Sequence, residues 1–369
     1  MMKIGIVGTR GIPAKYGGFE TFAEELSVRL VKKGVKCAVY CDKGSYNKSD
    51  YKGVNLNFVN TTKTKSPFKY YFLSLKEALK KDEIIIITGS SGALFIWLKF
   101  FYNRNAIVIT NTDGVEHSRT KWSFLGRKII HFFEWFAVNF SNYIIADSKA
   151  IKSYLKTSYP HINKQKIKVI EYGAYNALSK RENLLKEFSL KPNNYYLVVA
   201  RLEPENNIDM IIKGFIESKS KVPLVIVGNL NDTKYVNLLL KNQSPLIKFL
   251  GGIYNKEKLL AIRTFCKAYI HGHSVGGTNP SLLEAMGVKN FIIAHDNVFN
   301  REVTNNQAFY FKNYIECSVQ IKNFEKMDPN EIDKKKQFYV TRIINYYNWD
   351  RITNQYLEFF NQIYNRNFK

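Results

Sequence analysis

A chain of 369 residues with 45% hydrophobic content can bury two full cores, which sets aside a disordered, fibrous or single small-domain protein. Lys and Arg number 55 against 31 Asp and Glu, a formal charge of +24, so the partners it attracts are anionic: nucleic acid, anionic lipid or phosphorylated substrates. No apolar window free of charge reaches about 18 residues, so no spanning helix is expected.

In chain order, Lys3–Val7 reads as a buried strand, and the glycines that follow it argue against a signal peptide. Gly17-Gly18-Phe19-Glu20 opens a helix to about Lys33 with Phe22, Leu26 and Leu30 on one face. The paired glycines at this late helix start suit a sugar or phosphate approaching the backbone. Strands and helices then alternate: Cys37–Cys41 and Val54–Val59 as strands, Phe68–Leu79 as a helix, Glu83–Ile87 as a strand, Ala93–Phe101 as a very apolar helix, and Ala106–Thr110 as a strand. That last strand runs into Asn111-Thr112-Asp113-Gly114-Val115-Glu116-His117. Functional residues of open α/β sheets lie past the carboxyl ends of strands, which makes Asp113, Glu116 and His117 candidates. The next helix, Lys121–Phe140, is dense in aromatic residues and flanked by Arg127, Lys128 and His131. It fits a membrane-surface helix and a buried domain helix equally well. Tyr143–Ala146, Lys149–Leu155 and Ile167–Ile170 complete the first half, and the polar stretch from Asn176 to Asn194 reads as a boundary.

The second half restarts the rhythm. Tyr195–Ala200 is a strand that ends at Arg201, and a helix follows from Ile208; an arginine at that corner is placed to clamp a diphosphate. Leu224–Val227 and Lys248–Leu250 are strands, and Lys256–Phe265 is a helix. Ala268–Ile270 leads into the stretch richest in chemistry, His271 to Glu284. A Gly276-Gly277 turn, followed by Thr278, puts no side chain in the way of a phosphate. Asn279 is a plausible N-cap, Pro280 takes the first helical position, and the first-turn N–H groups are expected to point outward. Ser281 lies in that turn. Glu284, about one turn inside, can accept hydrogen bonds from sugar or ribose hydroxyls. Phe291–Ala294 and Phe309–Phe311 are the last strands, and two amphipathic helices, Glu331–Tyr346 and Trp349–Tyr364, break around Asn348. Cys37, Cys41, Cys266 and Cys317 lack zinc-site spacing and read as reduced thiols of a cytoplasmic protein. There is no Asp-x-Asp metal motif, which fits a site that neutralises phosphate with protein groups alone.

Four of these places together resemble the GT4-type GT-B glycosyltransferases, in particular bacterial rhamnosyltransferase-like proteins of capsule and cell-wall polysaccharide synthesis. They are Gly17-Gly18-Phe19-Glu20, Asp113-Gly114-Val115-Glu116, Arg201-Leu202-Glu203-Pro204-Glu205-Asn206 and His271 to Glu284. Two positions depart from the pattern. The donor motif is a Glu, seven residues and a second Glu; Glu284 matches the second and Gly276 stands at the first. Asn206 stands where the family places a pyrophosphate-binding lysine.

The resemblance implies an α/β protein of GT-B fold, with two Rossmann-like domains facing a cleft. The expected bounds are an acceptor domain over 1–175, joined by a returning C-terminal helix over 349–366, and a donor domain over 190–345. It implies metal-independent, retaining transfer of a sugar to a lipid-linked or growing polysaccharide acceptor, at the cytoplasmic face of the membrane, with no nucleic-acid partner. The sugar would be rhamnose, from a nucleotide-sugar donor such as dTDP-rhamnose; that donor is a substrate, and no cofactor is implied. Asp113, Glu116 and His117 would be catalytic. Arg201, Gly276, Gly277, Thr278, Asn279, Ser281, Glu284, Gly17 and Gly18 would bind the donor. Two other classes stay open on the residues alone: a nucleotide-sugar epimerase on the same fold, and a non-catalytic binder of anionic polymers supported by the charge.

Overall fold

The computed structural model describes residues 2–15, 17–112, 114–116 and 122–368. The first half runs β1 (Lys3–Val7), α1 (Gly18–Lys32), β2 (Lys36–Cys41), β3 (Asp50–Tyr51), β4 (Val54–Phe58), α2 (Pro67–Lys81), β5 (Ile84–Thr88), α3 (Lys99–Tyr102), β6 (Ile107–Asn111), α4 (Phe124–Phe140), β7 (Tyr143–Ala146), α5 (Lys149–Ser158) and β8 (Ile167–Val169). The second runs β9 (Tyr196–Val199), α6 (Ile208–Ser218), β10 (Leu224–Val227), α7 (Lys234–Leu240), β11 (Ile247–Phe249), α8 (Lys256–Thr264), β12 (Ala268–His271), α9 (Pro280–Gly287), β13 (Ile292–His295), α10 (Val298–Thr304), β14 (Phe309–Phe311), α11 (Tyr314–Lys326) and α12 (Pro329–Arg342), before α13 (Trp349–Phe368).

Two compact units result. Met1–Ser118, Trp122–Gly173 and Trp349–Lys369 form the first, and Ala174–Asn348 belongs to the second. The first unit holds a sheet of order β3-β4-β2-β1-β5-β6-β7-β8, parallel except for the short β3–β4 pair. The second holds the parallel sheet β11-β10-β9-β12-β13-β14. The central strands are continuous apolar runs such as Ile84-Ile85-Ile86-Ile87 and Leu224-Val225-Ile226-Val227, all buried, as a sheet covered on both faces requires.

The last helix returns to the first unit, as the resemblance implies. Trp349, Ile352, Tyr356, Phe359 and Phe360 share one core with Phe22 and Leu26 of α1, and the Phe22 and Tyr356 rings lie 5.6 Å apart. The break before this helix is a π-helical turn, Ile343–Tyr347, that ends at extended Asn348. The apolar stretch expected as one helix over 93–101 is instead a 3-10 segment, Ser90–Leu98, followed by the single turn α3. Its residues are apolar all round, so no amphipathic period selects an α-helix. Helices α7, α10 and α11 were not anticipated from the sequence.

Phe360 is fully buried in this core, so Phe360→Ala should lower unfolding stability by about 3–5 kcal/mol. Urea unfolding followed by circular dichroism measures it; a loss under about 1 kcal/mol would mean that α13 adds little to the unit.

Candidate functional site

The second unit gathers its candidates where strand order reverses. Strand β9 lies between β10 and β12; Arg201 follows β9, and the loop from Gly272 to Asn279 follows β12. Side chains past the carboxyl ends of strands at such a point face the crevice where α/β sheets take ligands.

Short polar bonds hold the two loops together. The Nδ2 of Asn206 donates to the Arg201 carbonyl at 2.8 Å, and its Oδ1 lies 2.8 Å from Nδ1 of His273. Asn207 donates to the Gly272 carbonyl at 2.7 Å, and Ser274 donates through both N–H and hydroxyl to the Glu205 carbonyl at 2.9 Å. A Cβ at position 272 would stand 2.1 Å from the Asn206 carbonyl oxygen, so only glycine permits this approach. Burial pushes His271 down to about 3, so its ring is neutral. Among the described residues, His271 Nε2 and both carboxylate oxygens of Glu205 are buried without a protein partner.

The start of α9 is capped from within. Pro280 has no N–H, Ser281 N–H donates to Asn279 Oδ1 at 2.9 Å, and the Leu282 and Leu283 N–H groups donate to the Asn279 carbonyl at 3.1 and 3.2 Å. The free first-turn donors expected from the sequence are therefore consumed. In the loop before the helix, the N–H groups of Val275, Gly276, Gly277 and Asn279 have no acceptor among the described residues.

Beneath the helix start lies Arg263 of α8, its side chain 5% exposed. Its guanidinium donates to the Ser281 carbonyl at 3.2 Å and hydroxyl at 3.1 Å, and Nη2 pairs with Glu284 Oε2 at 2.7 Å. The Ser281 hydroxyl also donates to the Val199 carbonyl and lies 2.8 Å from the Tyr269 hydroxyl, so it is committed to the sheet. Glu284 remains 47% exposed, and its Oε1 has no protein partner among the described residues. Thr278 is buried, whereas Arg201 is half-exposed beside Glu203, with Nη2 to Oε2 at 3.5 Å.

In the first unit, strand order reverses at β1, which lies between β2 and β5. Gly17 is the exposed cap of α1, and the Gly18 carbonyl accepts from the Tyr172 hydroxyl at 3.0 Å. The loop after β1 folds onto α1 through Glu20, which accepts from Arg10 N–H at 3.0 Å, and Glu24, which accepts from Ala14 N–H at 2.6 Å. The ends of β5 and β6 are joined by Gly89 N–H donating to the Asn111 carbonyl at 2.9 Å. Glu116 is partly buried in the turn that follows. Asp113 and His117 lie outside the described residues.

Residues 180–339 match the family model "Glycosyl transferases group 1", and residues 1–175 match "Domain of unknown function (DUF1972)". Sucrose-phosphate synthase from Thermosynechococcus elongatus superposes with a TM-score of 0.83 at 12% identity, over 99% of this chain and 100% of that one. Anabaena HepE in complex with UDP-glucose gives 0.79 at 14% identity, over 98% and 100%. A glycosyltransferase from Rickettsia africae gives 0.78 at 16% identity, over 98% of each chain. The protein is a glycosyltransferase of the GT-B fold. None of the curated proteins matches it.

The two departures from the GT4 pattern have physical explanations in this glycosyltransferase. Gly276, at the first Glu position, has φ of +116°, a conformation that residues with a Cβ avoid. Asn206, at the lysine position, is 5% exposed and bonds both loops, so it is a tie between them and not a charge. Arg263 escaped the sequence reading. The signal for it was an arginine beside Leu259, Leu260 and Ile262 on a short helix, a basic residue in apolar company.

Two outcomes test this loop. Gly276→Ala should cost about 1–3 kcal/mol of stability through backbone strain alone, read by urea unfolding; no loss would mean that the loop relaxes freely. Glu284→Gln should leave the fold intact and weaken nucleotide-sugar binding by about 1 kcal/mol, because a neutral amide oxygen is a poorer acceptor than a carboxylate. Calorimetric titration of both proteins with the same donor measures it, and equal affinities remove Glu284 from the site.

Proposed function

We propose that this glycosyltransferase moves a sugar from a nucleoside-diphosphate donor bound by the second unit to a lipid-linked or growing polysaccharide acceptor bound by the first. The observation that carries the reading is the convergence of Arg201, the unpartnered N–H groups of Gly276, Gly277 and Asn279, and the half-exposed Glu284 at one reversal of strand order, within the span that matches the group 1 family model. A cation and aimed amides suit a diphosphate, and a carboxylate one turn deeper suits hydroxyls of the sugar or ribose. The complex of HepE with UDP-glucose supports a nucleotide sugar as donor. The resemblance of the Asp113-Gly114-Val115-Glu116 and His271 to Glu284 stretches to rhamnosyltransferase-like proteins supports rhamnose, from a donor such as dTDP-rhamnose, and the wider GT4 resemblance supports retention at the anomeric carbon.

As the bond from the anomeric carbon to the diphosphate oxygen breaks, negative charge gathers on the leaving group. Groups fixed before the reaction and aimed at that charge stabilise the transition state more than the ground state. Arg201 and the loop amides take this role, so phosphate charge is met by protein groups. Asp113, with Glu116 and His117 nearby in sequence, acts at the reacting sugar or acceptor hydroxyl.

Arg201→Ala should weaken nucleoside-diphosphate binding by about 1.5–3 kcal/mol, the worth of a charge-assisted bond. Asp113→Asn should lower turnover and leave that affinity nearly unchanged. Affinity and turnover measured for both variants, with dTDP-rhamnose and UDP-glucose compared as donors, decide the matter. Normal diphosphate binding by Arg201→Ala, or loss of nucleotide binding by Asp113→Asn with turnover kept at saturation, overturns the assignment. An active Asp113→Asn beside an inactive His117→Ala would move the reacting-centre role to His117.

A further inference from the structure

Helix α4 is apolar on two faces, and only one is used inside the unit. Phe133, Ala137 and Val138 are buried, and Ala137 shares a core with Ala93, Ile96 and Leu98 of the 3-10 segment. Leu125, Ile129, Phe132, Phe136 and Phe140 recur at helical spacing along a different stripe. There Leu125 is 66%, Phe132 50% and Phe140 48% exposed. The neighbouring turn α3 extends the apolar surface with Phe100 and Phe101, the latter 78% exposed. Lys99 Nζ donates to Asn142 Oδ1 at 3.1 Å, which fixes α3 beside the carboxyl end of α4. Rings along α4 are packed with one another, Phe132 stacking on Trp135 at 6.0 Å, so the surface is preformed.

Exposed charge on the two segments that form this surface, 90–105 and 122–140, is positive. Arg104, Arg127 and Lys128 are exposed, and Lys128 Nζ lies 4.6 Å from the centre of the Phe124 ring. From Trp122 to Phe140 the one carboxylate is Glu134, which is buried and accepts from the Tyr154 and Tyr159 hydroxyls. From Ser90 to Asn105 there is none. Monomeric proteins do not leave contiguous aromatic surface in water without a partner for it. A protein partner of ordinary composition would bring its own pattern of both charges. Aromatic rings that include Trp97 and Trp135, edged by exposed cations, with the acid beside α3, Glu77, already paired to Lys80, are matched instead to the interface of an anionic bilayer, where rings enter the headgroup region and long basic side chains reach lipid phosphates. No helix among the described residues is long and apolar enough to cross a membrane, so such docking is peripheral.

We propose that the α3–α4 face of the first unit docks reversibly on an anionic lipid surface. The inference stands apart from the donor chemistry, because no residue in it belongs to the donor loop.

The full chain is mixed with vesicles of phosphatidylcholine alone and of phosphatidylcholine with phosphatidylglycerol, and sedimented. Binding to the anionic vesicles should exceed binding to the neutral ones and fall as salt rises. Phe124→Ser combined with Phe132→Ser, both exposed and so compatible with the fold, should lower bound protein by about tenfold, and Arg127→Glu with Lys128→Glu should do the same. Brominated lipid should quench fluorescence of the wild type, since Trp97, Trp122 and Trp135 are on the exposed side whereas Trp349 is buried. Unchanged melting temperatures and sugar-nucleotide affinity in the variants keep this test separate from the transferase reading. Equal binding to both vesicle types, wild-type binding by the aromatic pair, or a dimer that the aromatic pair converts to monomers without any vesicle binding each overturns the proposal; the last would assign the face to a second copy of the chain.

Discussion

The donor corner depends on one close approach, that of the Gly272 backbone to the Asn206 carbonyl oxygen. With no side chain at 272, the turn after β9 and the loop after β12 come near enough for Asn206, Asn207 and Ser274 to bond across. Once they are joined, Arg201 is held through its own carbonyl, and the loop carrying Gly276 and Gly277 leaves the sheet from a fixed point. The choice of Asn206 follows from the same approach. A lysine there would place an ammonium beside one backbone carbonyl and His273 at a site that is 5% exposed, whereas a carboxamide both donates and accepts. Burying an unpaired charge costs several kcal/mol, so the position cannot serve as a tie and keep a free cation for phosphate. The departure at Asn206 is thus part of how the corner is built, with Arg201 as the half-exposed cation that follows β9.

A second buried cation has the opposite design. Arg263 is enclosed, yet its guanidinium meets a carboxylate, a hydroxyl and a carbonyl, which spreads the cost of burial over several bonds. It fixes Glu284 from below while the other carboxylate oxygen stays open to solvent. Ser281 is drawn to the same arginine and to the end of β9. Of the polar residues concentrated between His271 and Glu284, some therefore build the corner and some face outward. Sequence composition alone does not divide them.

Much of the frame was legible in the sequence. Apolar runs of strand length alternating with helical periods marked out both sheets, and Arg201 and the glycine loop fall just past the carboxyl ends of strands as read from punctuation alone. Asn279 before Pro280 marked the helix start, and Trp349 after Asn348 marked the returning helix. What was lost has common causes. The outward N–H groups of α9 vanished because the cap and two backbone bonds satisfy them locally, a matter of geometry that a motif does not carry. Arg263 was missed because its partners lie 18 and 21 positions on, in another helix. Helices α7 and α10 were missed because seven residues each are too few for a period to show, and α11 because its buried stripe is Cys317, Ser318, Ile321 and Phe324, of which two are not aliphatic or aromatic.

Helix α4 shows the limit in its sharpest form. Its composition satisfies a buried helix and a surface helix alike, because apolar residues form more than one stripe and periodicity cannot say which stripe the sheet claims. The structure assigns the stripe through Phe133 and Ala137 to the core and leaves Leu125, Phe132 and Phe140 in solvent. Stability is therefore secured by a minority of the apolar side chains, and the remainder carry a standing cost of exposure and of aggregation risk. A cost of that kind persists where the surface has a use. Under the proposed function, with an acceptor anchored in lipid, the use would follow from the chemistry: such an acceptor does not leave the bilayer, and an apolar face without a spanning helix among the described residues would let the protein arrive, react and leave.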